Sequence, residues 1–115
     1  MDYKIDFNKQ YNVAIVKFDG TLDINNKDEI IDLIKEEILP KNMKYVIFVV
    51  SELSYIDSSG LGALLSARSI LNKNNGDLVI VNSNKKLSKI LNMAGFNKMF
   101  KICDDIDEGI KKVKL

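Results

Sequence analysis

The combination of side chains with the greatest chemical potential lies in residues 57–62, where a carboxylate is followed by two hydroxyls and two glycines. The upstream run 45–50 is entirely apolar and rich in β-branched residues, which predicts a strand buried on both faces. The downstream segment 61–71 has leucines at helical spacing. The stretch is therefore predicted to lie at a strand-to-helix turn, where open α/β sheets place their functional sites.

Helix capping is the simplest role for Asp57, Ser58 and Ser59, because Asp and Ser are favoured N-cap residues. Three features favour a functional role in addition. The turn carries two hydroxyls where one cap suffices, it follows a central strand, and Gly60 and Gly62 keep side-chain bulk low around it. Gly62 does so although glycine in a helix costs about 1 kcal/mol relative to alanine.

No catalytic residue is expected at this turn, because the chain contains no histidine. A Ser-His-Asp triad cannot be assembled, and a carboxylate beside a serine is a poor base near neutral pH. Neither serine lies in a G-x-S-x-G elbow. The phosphate-binding pattern G-x-x-x-x-G-K-[ST] is absent, and 60–62 is too short for a dinucleotide fingerprint.

The composition is that of one globular domain of 115 residues, with 46% apolar and 29% charged residues. The formal net charge of +1 predicts no strong attraction to nucleic acid or to a membrane. Cys103 is the only cysteine, so a cytoplasmic setting is expected, with no signal peptide at the N-terminus. Without histidine, neither a metal site nor a cofactor is expected.

Hydrophobic periodicity predicts the element order β-β-α-β-α-β-α-β-α. The strands are expected at 2–8, 13–18, 45–50, 78–81 and 99–103, with Gly20 ending the second. The helices are expected from Asn25 or Asn26 to Pro40, over 61–71, from Ser83 or Asn84 to Gly95, and over 104–113. The short first connection predicts an antiparallel hairpin, and the later alternation predicts a mostly parallel sheet.

Asp23 is the second candidate site residue, although an isolated loop aspartate is usually only solvated. It follows strand 13–18, and if that strand pairs in parallel with 45–50, both loops open on the same edge of the sheet. Asp23 would then lie near Ser58. The lysine groups at 85–89 and 111–114 are expected to be solvated helix faces.

Residues 54–65 resemble the signature of the bacterial anti-sigma factor antagonists, the STAS domain family. Residues 20–23 resemble the Gly-x-Leu/Ile-Asp turn of that family, and 76–78 and 94–96 fall where the family enters its fourth strand and ends a helix. The resemblance spans nearly the whole chain, and it implies one STAS domain over 1–115. In that fold, helices back a mostly parallel sheet on one face.

The resemblance implies a regulatory protein without catalytic activity, phosphorylated on the serine after the motif aspartate, here Ser58. The unphosphorylated form binds an anti-sigma factor that is also a serine kinase, and so releases a sigma factor. A PP2C-type phosphatase restores the binding form, and the protein is expected to be a monomer or weak dimer. The residues expected around the phosphorylation site are Thr21, Asp23, Asp57, Ser59, Gly60, Leu61 and Gly62.

Several alternatives stay open from the residues alone. Thr21 stands where many family members have glutamate, which bears on the identity of the partner. Ser58 and Ser59 are not distinguished by physical chemistry. The chain could instead be a STAS scaffold of a stress-signalling or other regulatory complex without phosphorylation, an enzyme with a serine nucleophile, or an oligomerisation module in which Ser58 only caps a helix.

Overall fold

The computed structural model describes all residues, 1–115, and contains the predicted order of strands and helices. The strands are β1 (Asp2–Asn8), β2 (Val13–Leu22), β3 (Tyr45–Ile56), β4 (Asp77–Val81) and β5 (Lys101–Cys103). The helices are α1 (Lys27–Asp32), α2 (Ser58–Lys73), α3 (Lys85–Met93) and α4 (Ile106–Lys112). None of these helices is long and apolar enough to cross a membrane.

The five strands form one sheet in the order β1-β2-β3-β4-β5. β1 pairs with β2 in antiparallel fashion, and the remaining neighbours pair in parallel. The predicted fold class is therefore confirmed. Each helix between two parallel strands begins at the edge of the sheet where the strands end, so the starts of α1, α2 and α3 share one edge.

The helices occupy both faces of the sheet, which corrects the expectation of one face. The larger core cluster joins one face of the sheet to α1, α2 and α3 through residues such as Ile30, Leu64 and Leu87. The smaller cluster lies on the other face, where Ile47 and Val81 pack near Gly109 of α4. Right-handed crossovers place the helices that connect parallel strands on one side, but α4 connects no pair of strands and covers the opposite face.

The second and third strands are longer than the sequence pattern predicts. Gly20 does not end β2 but lies within it, at a φ of +98° that suits glycine. Two register shifts, after Lys17 and after Gly20, mark an irregularity in the pairing of β2 with β3. Because β4 pairs only with residues 45–49, the β2–β3 pair projects beyond the rest of the sheet.

The start of α3 follows the predicted capping, and the start of α1 departs from it. Asn84 accepts hydrogen bonds from the first turn of α3, and Asp105 does the same for α4. Asn26 precedes α1 but makes no side-chain cap. Beyond α1 the chain continues as a π-helical stretch, Leu33–Ile38, and then as a 3₁₀ turn that contains Pro40. The helical conformation therefore extends through Pro40, which was expected to end the helix.

Asp77, at the start of β4, joins three elements through ion pairs. Its carboxylate lies 2.9 Å from Nε of Arg68 in α2 and 3.0 Å from Nζ of Lys101 in β5. Burial alone would raise the pKa of Asp77, but the hydrogen bonds from Arg68, from the N–H of Leu78 and from Lys101 outweigh it and lower the pKa. The ionised carboxylate is therefore the form that stabilises the fold.

Replacing Asp77 by asparagine is predicted to lower the free energy of unfolding at pH 7 by about 1–3 kcal/mol, because two cations lose their partner. A depressed pKa stabilises the fold above the unfolded pKa, roughly 3.9, and this stabilisation is lost as pH falls through the folded value. Urea unfolding at pH 7 and pH 3 should show a wild-type advantage that shrinks in acid. Asp6→Asn, on the exposed face of β1, is the control and should change little.

Candidate functional site

The candidate site lies where β2 and β3 end, at the tip of the projecting pair. The N–H of Asp57 donates to the carbonyl of Leu22 at 3.2 Å, which joins the turn after β3 to the end of β2. The N–H of Ile24 donates to Oδ2 of Asp57 at 3.3 Å. The two loops that the sequence predicted on one edge are therefore in direct contact.

Asp57 is the N-cap of α2, and both of its carboxylate oxygens are occupied. Oδ1 accepts from the N–H of Gly60 at 2.9 Å, while Oδ2 accepts from Ile24 in the other loop. A carboxylate at a helix start is also favoured by the helix dipole. Because both oxygens hold main-chain N–H groups, Asp57 serves to fix the turn and is poorly placed to take a proton from a neighbouring serine.

The two serines differ in accessibility, which the sequence could not show. Ser58 is the first residue of α2 and is exposed, whereas Ser59 is only partly exposed. Ser59 lines a shallow hollow of about 310 Å³ between α1 and α2. The other residues that line this hollow are Lys27, Asp28, Ile31, Gly62, Ala63 and Ser66. Ser58 is thus the hydroxyl more open to a second protein.

Gly60 and Gly62 have different surroundings although they are two residues apart. A Cβ atom added to Gly60 would lie 2.6 Å from the carbonyl oxygen of Leu22, so this buried glycine permits the contact between α2 and β2. A Cβ atom added to Gly62 would meet nothing within 4 Å. The missing side chain of Gly60 therefore allows α2 to pack against β2, whereas the space beside Gly62 is open. Leu61, between them, is partly buried.

The loop between β2 and α1 is braced by its own polar side chains. Oδ1 of Asp23 accepts from the N–H of Asn25 at 2.9 Å, and Oδ1 of Asn26 accepts from the N–H of Asp23 at 2.9 Å. The amide of Asn26 also donates to the carbonyl of Thr21 at 2.8 Å. This bracing explains why Asn26 does not cap α1. It also holds Asp23 in a turn directly beside the residue that bonds Asp57.

Two exposed apolar residues next to the turn were not predicted as site residues. The side chain of Ile24 is 63% exposed and that of Tyr55 is 50% exposed. Ile24 precedes α1 in the braced loop, and Tyr55 pairs with Thr21 at the end of β3. The signal for Ile24 was its apolar side chain among the polar residues of segment 23–26. Together the two give the tip of the domain a partly apolar surface beside Ser58.

The largest hollow of the molecule, about 500 Å³, lies away from Ser58, between the middle of β3 and the start of α4. It is lined in part by Ser51 and Ser83, whose hydroxyls are bonded to each other at 3.2 Å. No group of three or more metal-binding side chains occurs anywhere in the chain. None of the residues predicted as site residues lines this hollow, so the tip of β2–β3 remains the candidate site.

The chain belongs to the STAS domain family, whose model matches residues 4–109. The "Anti-sigma F factor antagonist" of Paenibacillus polymyxa is 27% identical over 105 residues, which cover 91% of this chain and 90% of that protein. The NMR structure of TM1081 from Thermotoga maritima is 26% identical with a TM-score of 0.82, covering 97% of this chain and 86% of that one. The resemblance stated from the sequence is thereby confirmed.

The Bacillus protein SpoIIAA shares the fold at lower identity. Its unphosphorylated structure gives a TM-score of 0.70 at 20% identity, covering 93% of this chain and 92% of that one. The phosphorylated form gives a TM-score of 0.68 at 20% identity, covering 97% and 99% respectively. Structures of that protein thus exist in both states. The roles of Ser58 and its neighbours in the present chain stay predictions.

The two glycines predict opposite effects of the same substitution. Gly60→Ala should lower the free energy of unfolding by about 1–3 kcal/mol, because the new methyl group overlaps the carbonyl of Leu22. Gly62→Ala should raise it by up to about 1 kcal/mol, since alanine favours the helix and the space is open. Urea unfolding of both variants measures the difference. Equal effects of the two substitutions would contradict the assigned geometry.

Proposed function

We propose that this chain is an anti-sigma factor antagonist whose activity is switched by phosphorylation of Ser58, with the whole range 1–115 acting as one domain in the cytoplasm. The observation that carries the proposal is an exposed serine at the first position of α2, beside an aspartate whose carboxylate is fully engaged. Ser58 is presented to solvent without a base to activate it. Such a hydroxyl suits a substrate of another protein better than a nucleophile.

The unphosphorylated form is proposed to bind an anti-sigma factor that is also an ATP-dependent serine kinase, and so to release a sigma factor. The kinase transfers the γ-phosphoryl group of ATP to Oγ of Ser58, and ADP leaves. A PP2C-type phosphatase hydrolyses the phosphate ester and restores the binding form. The relatives named as anti-sigma factor antagonists support an anti-sigma factor as the partner.

The partner is proposed to contact the tip of β2–β3 and the first turns of α2. Ile24, Tyr55 and Leu61 supply apolar area around Ser58, and Gly62 leaves room for close approach. Thr21, Asp23 and Ser59 form the polar margin of the same surface. Aromatic and aliphatic anchors beside polar groups are common at the centre of protein interfaces.

Phosphorylation should act on this surface and leave the fold intact. A phosphoserine adds about −1.5 to −2 charges at pH 7, which the start of α2 tolerates because N–H groups and the helix dipole favour anions there. Asp57 is adjacent and held in place by two hydrogen bonds, so moving its carboxylate away from the new charge would break them. The added charge therefore alters what a partner meets at the tip.

Incubation with ATP and the candidate anti-sigma kinase encoded in the same genome is predicted to modify one residue. Peptide mapping by mass spectrometry should place the phosphate on Ser58, because Ser59 is partly covered between α1 and α2. Ser58→Ala should abolish labelling, and Ser59→Ala is the matched control that should retain it. Labelling of Ser59 would reject the assignment. Absence of labelling would favour a STAS scaffold without a phosphorylation switch.

Ser58→Asp is predicted to weaken binding of the same partner at least tenfold, about 1.4 kcal/mol, while leaving the fold unchanged. Calorimetry should measure the affinity, and circular dichroism with thermal melting should show the wild-type fold. Ser58→Ala, which removes the hydroxyl without adding charge, should keep most of the affinity. Unfolding of Ser58→Asp would mean that the switch acts on the structure, contrary to this account.

A further inference from the structure

Helix α3 carries its charges in the opposite sense to the helix dipole. Lys85 and Lys86 stand in its first turn, where the dipole disfavours cations, and that turn contains no acidic residue. No basic residue stands in its last turn, where cations are favoured. Lys89, one turn on, is a further exposed cation.

The neighbouring helices show that this arrangement is not general in the chain. The first turn of α1 contains Asp28 and Glu29. The first turn of α4 contains two acidic residues, and its last turn contains Lys111 and Lys112. The first turn of α2 contains no charged residue, so α3 is the one helix whose first turn contains cations without an acidic residue.

No ion pair or hydrogen bond within the molecule uses the side chains of the α3 lysines. The ion pairs of the structure are Arg68–Asp77 and Lys101–Asp77, and the residues Lys85, Lys86 and Lys89 are exposed. The start of the helix is already capped by Asn84, which accepts from two N–H groups of the first turn. The positive charges therefore add nothing to the helix that contains them.

The first turn of α3 is fixed on the edge of the sheet that bears Ser58. The amide of Asn84 donates to the carbonyl of Ser51 in β3 at 3.2 Å, and the N–H of Ser83 donates to Oγ of Ser51 at 2.9 Å. Ser51 precedes Asp57 by six residues along an extended strand, a span of about 20 Å. A protein interface of ordinary size, about 800 Å² on each partner, is wide enough to cover both places.

We propose that Lys85, Lys86 and Lys89 form a basic docking patch for an acidic surface of the protein that binds and modifies Ser58. This inference rests on the proposed function and names the chemistry of that partner. The patch draws the partner in by charge complementarity, and the apolar tip then supplies the contact around Ser58. A membrane is not the favoured partner, because Leu87 and Leu91 of α3 are buried in the core and cannot insert into lipid.

The first test uses a peptide of ten glutamates as an acidic probe of the full chain at low salt. Amide shifts in nitrogen-15 NMR spectra should move most at Lys85, Lys86 and Lys89, and the double variant Lys85→Glu/Lys86→Glu should lose these shifts. Lys111→Glu/Lys112→Glu, at the end of α4, is the matched control and should keep them. Shifts of equal size at both lysine groups, or at neither, would overturn the proposal.

The same two variants should change thermal stability in opposite directions. Lys85→Glu/Lys86→Glu should raise the melting temperature, because acidic residues then face the positive end of α3. Lys111→Glu/Lys112→Glu should lower it for the converse reason. A loss of acidic binding that accompanies increased stability cannot be explained by unfolding.

The second test uses the kinase that phosphorylates Ser58. Its association rate with Lys85→Glu/Lys86→Glu should fall at least tenfold at low salt, and the difference should shrink as salt rises. Unchanged association would overturn the patch. If no kinase binds the wild type, the proposed function fails. Binding of the glutamate peptide still tests whether the three lysines form a docking patch. Binding to phosphatidylglycerol vesicles through these lysines, without binding to the peptide, would assign the patch to a membrane instead.

Discussion

The geometry of the site depends on the two hydrogen bonds that the carboxylate of Asp57 accepts. One comes from the first turn of α2 and the other from the loop after β2, so one side chain joins two segments that are far apart in sequence. The main-chain N–H of Asp57 donates to the carbonyl of Leu22, and Gly60 of α2 packs against Leu22. Since these contacts all converge on one turn, the position of Ser58 is set by main-chain geometry rather than by its own side chain.

Because β2 and β3 are long, this turn lies beyond the end of the other strands. The length of these two strands was the part of the fold that hydrophobic periodicity did not predict. Beyond Val50 the buried residues of β3 are Leu53 and Ile56, at a spacing of three, whereas a regular strand alternates with a period of two. The register shifts that accompany Gly20 change which side chains face the core. The prediction ended the third strand with its continuous apolar run at Val50 and the second strand at Gly20, and both ends were therefore placed too early.

The order of elements, the hairpin and the caps of α2 and α3 were predictable because each rests on local chemistry, such as an Asp or Asn before a helix. The face covered by α4 was not, because the handedness rule applies only to a helix between two parallel strands. The role of Asn26 was hidden for a related reason. Its side chain bonds the loop behind it, and only the folded loop brings Thr21 and Asp23 within reach.

Gly60 and Gly62 distinguish the residues that the fold requires from those that only the site requires. Gly60 is required inside the molecule, because the carbonyl of Leu22 occupies the space of its missing side chain. Gly62 satisfies no contact in the chain, yet it weakens the helix by about 1 kcal/mol relative to alanine. Because no contact within the chain offsets this loss of helix stability, a binding partner is the best explanation for glycine at this position. The cations at the start of α3 likewise destabilise their helix without making a contact inside the chain. Gly62 and these cations lie on helices that begin at the edge of the sheet where Ser58 is exposed.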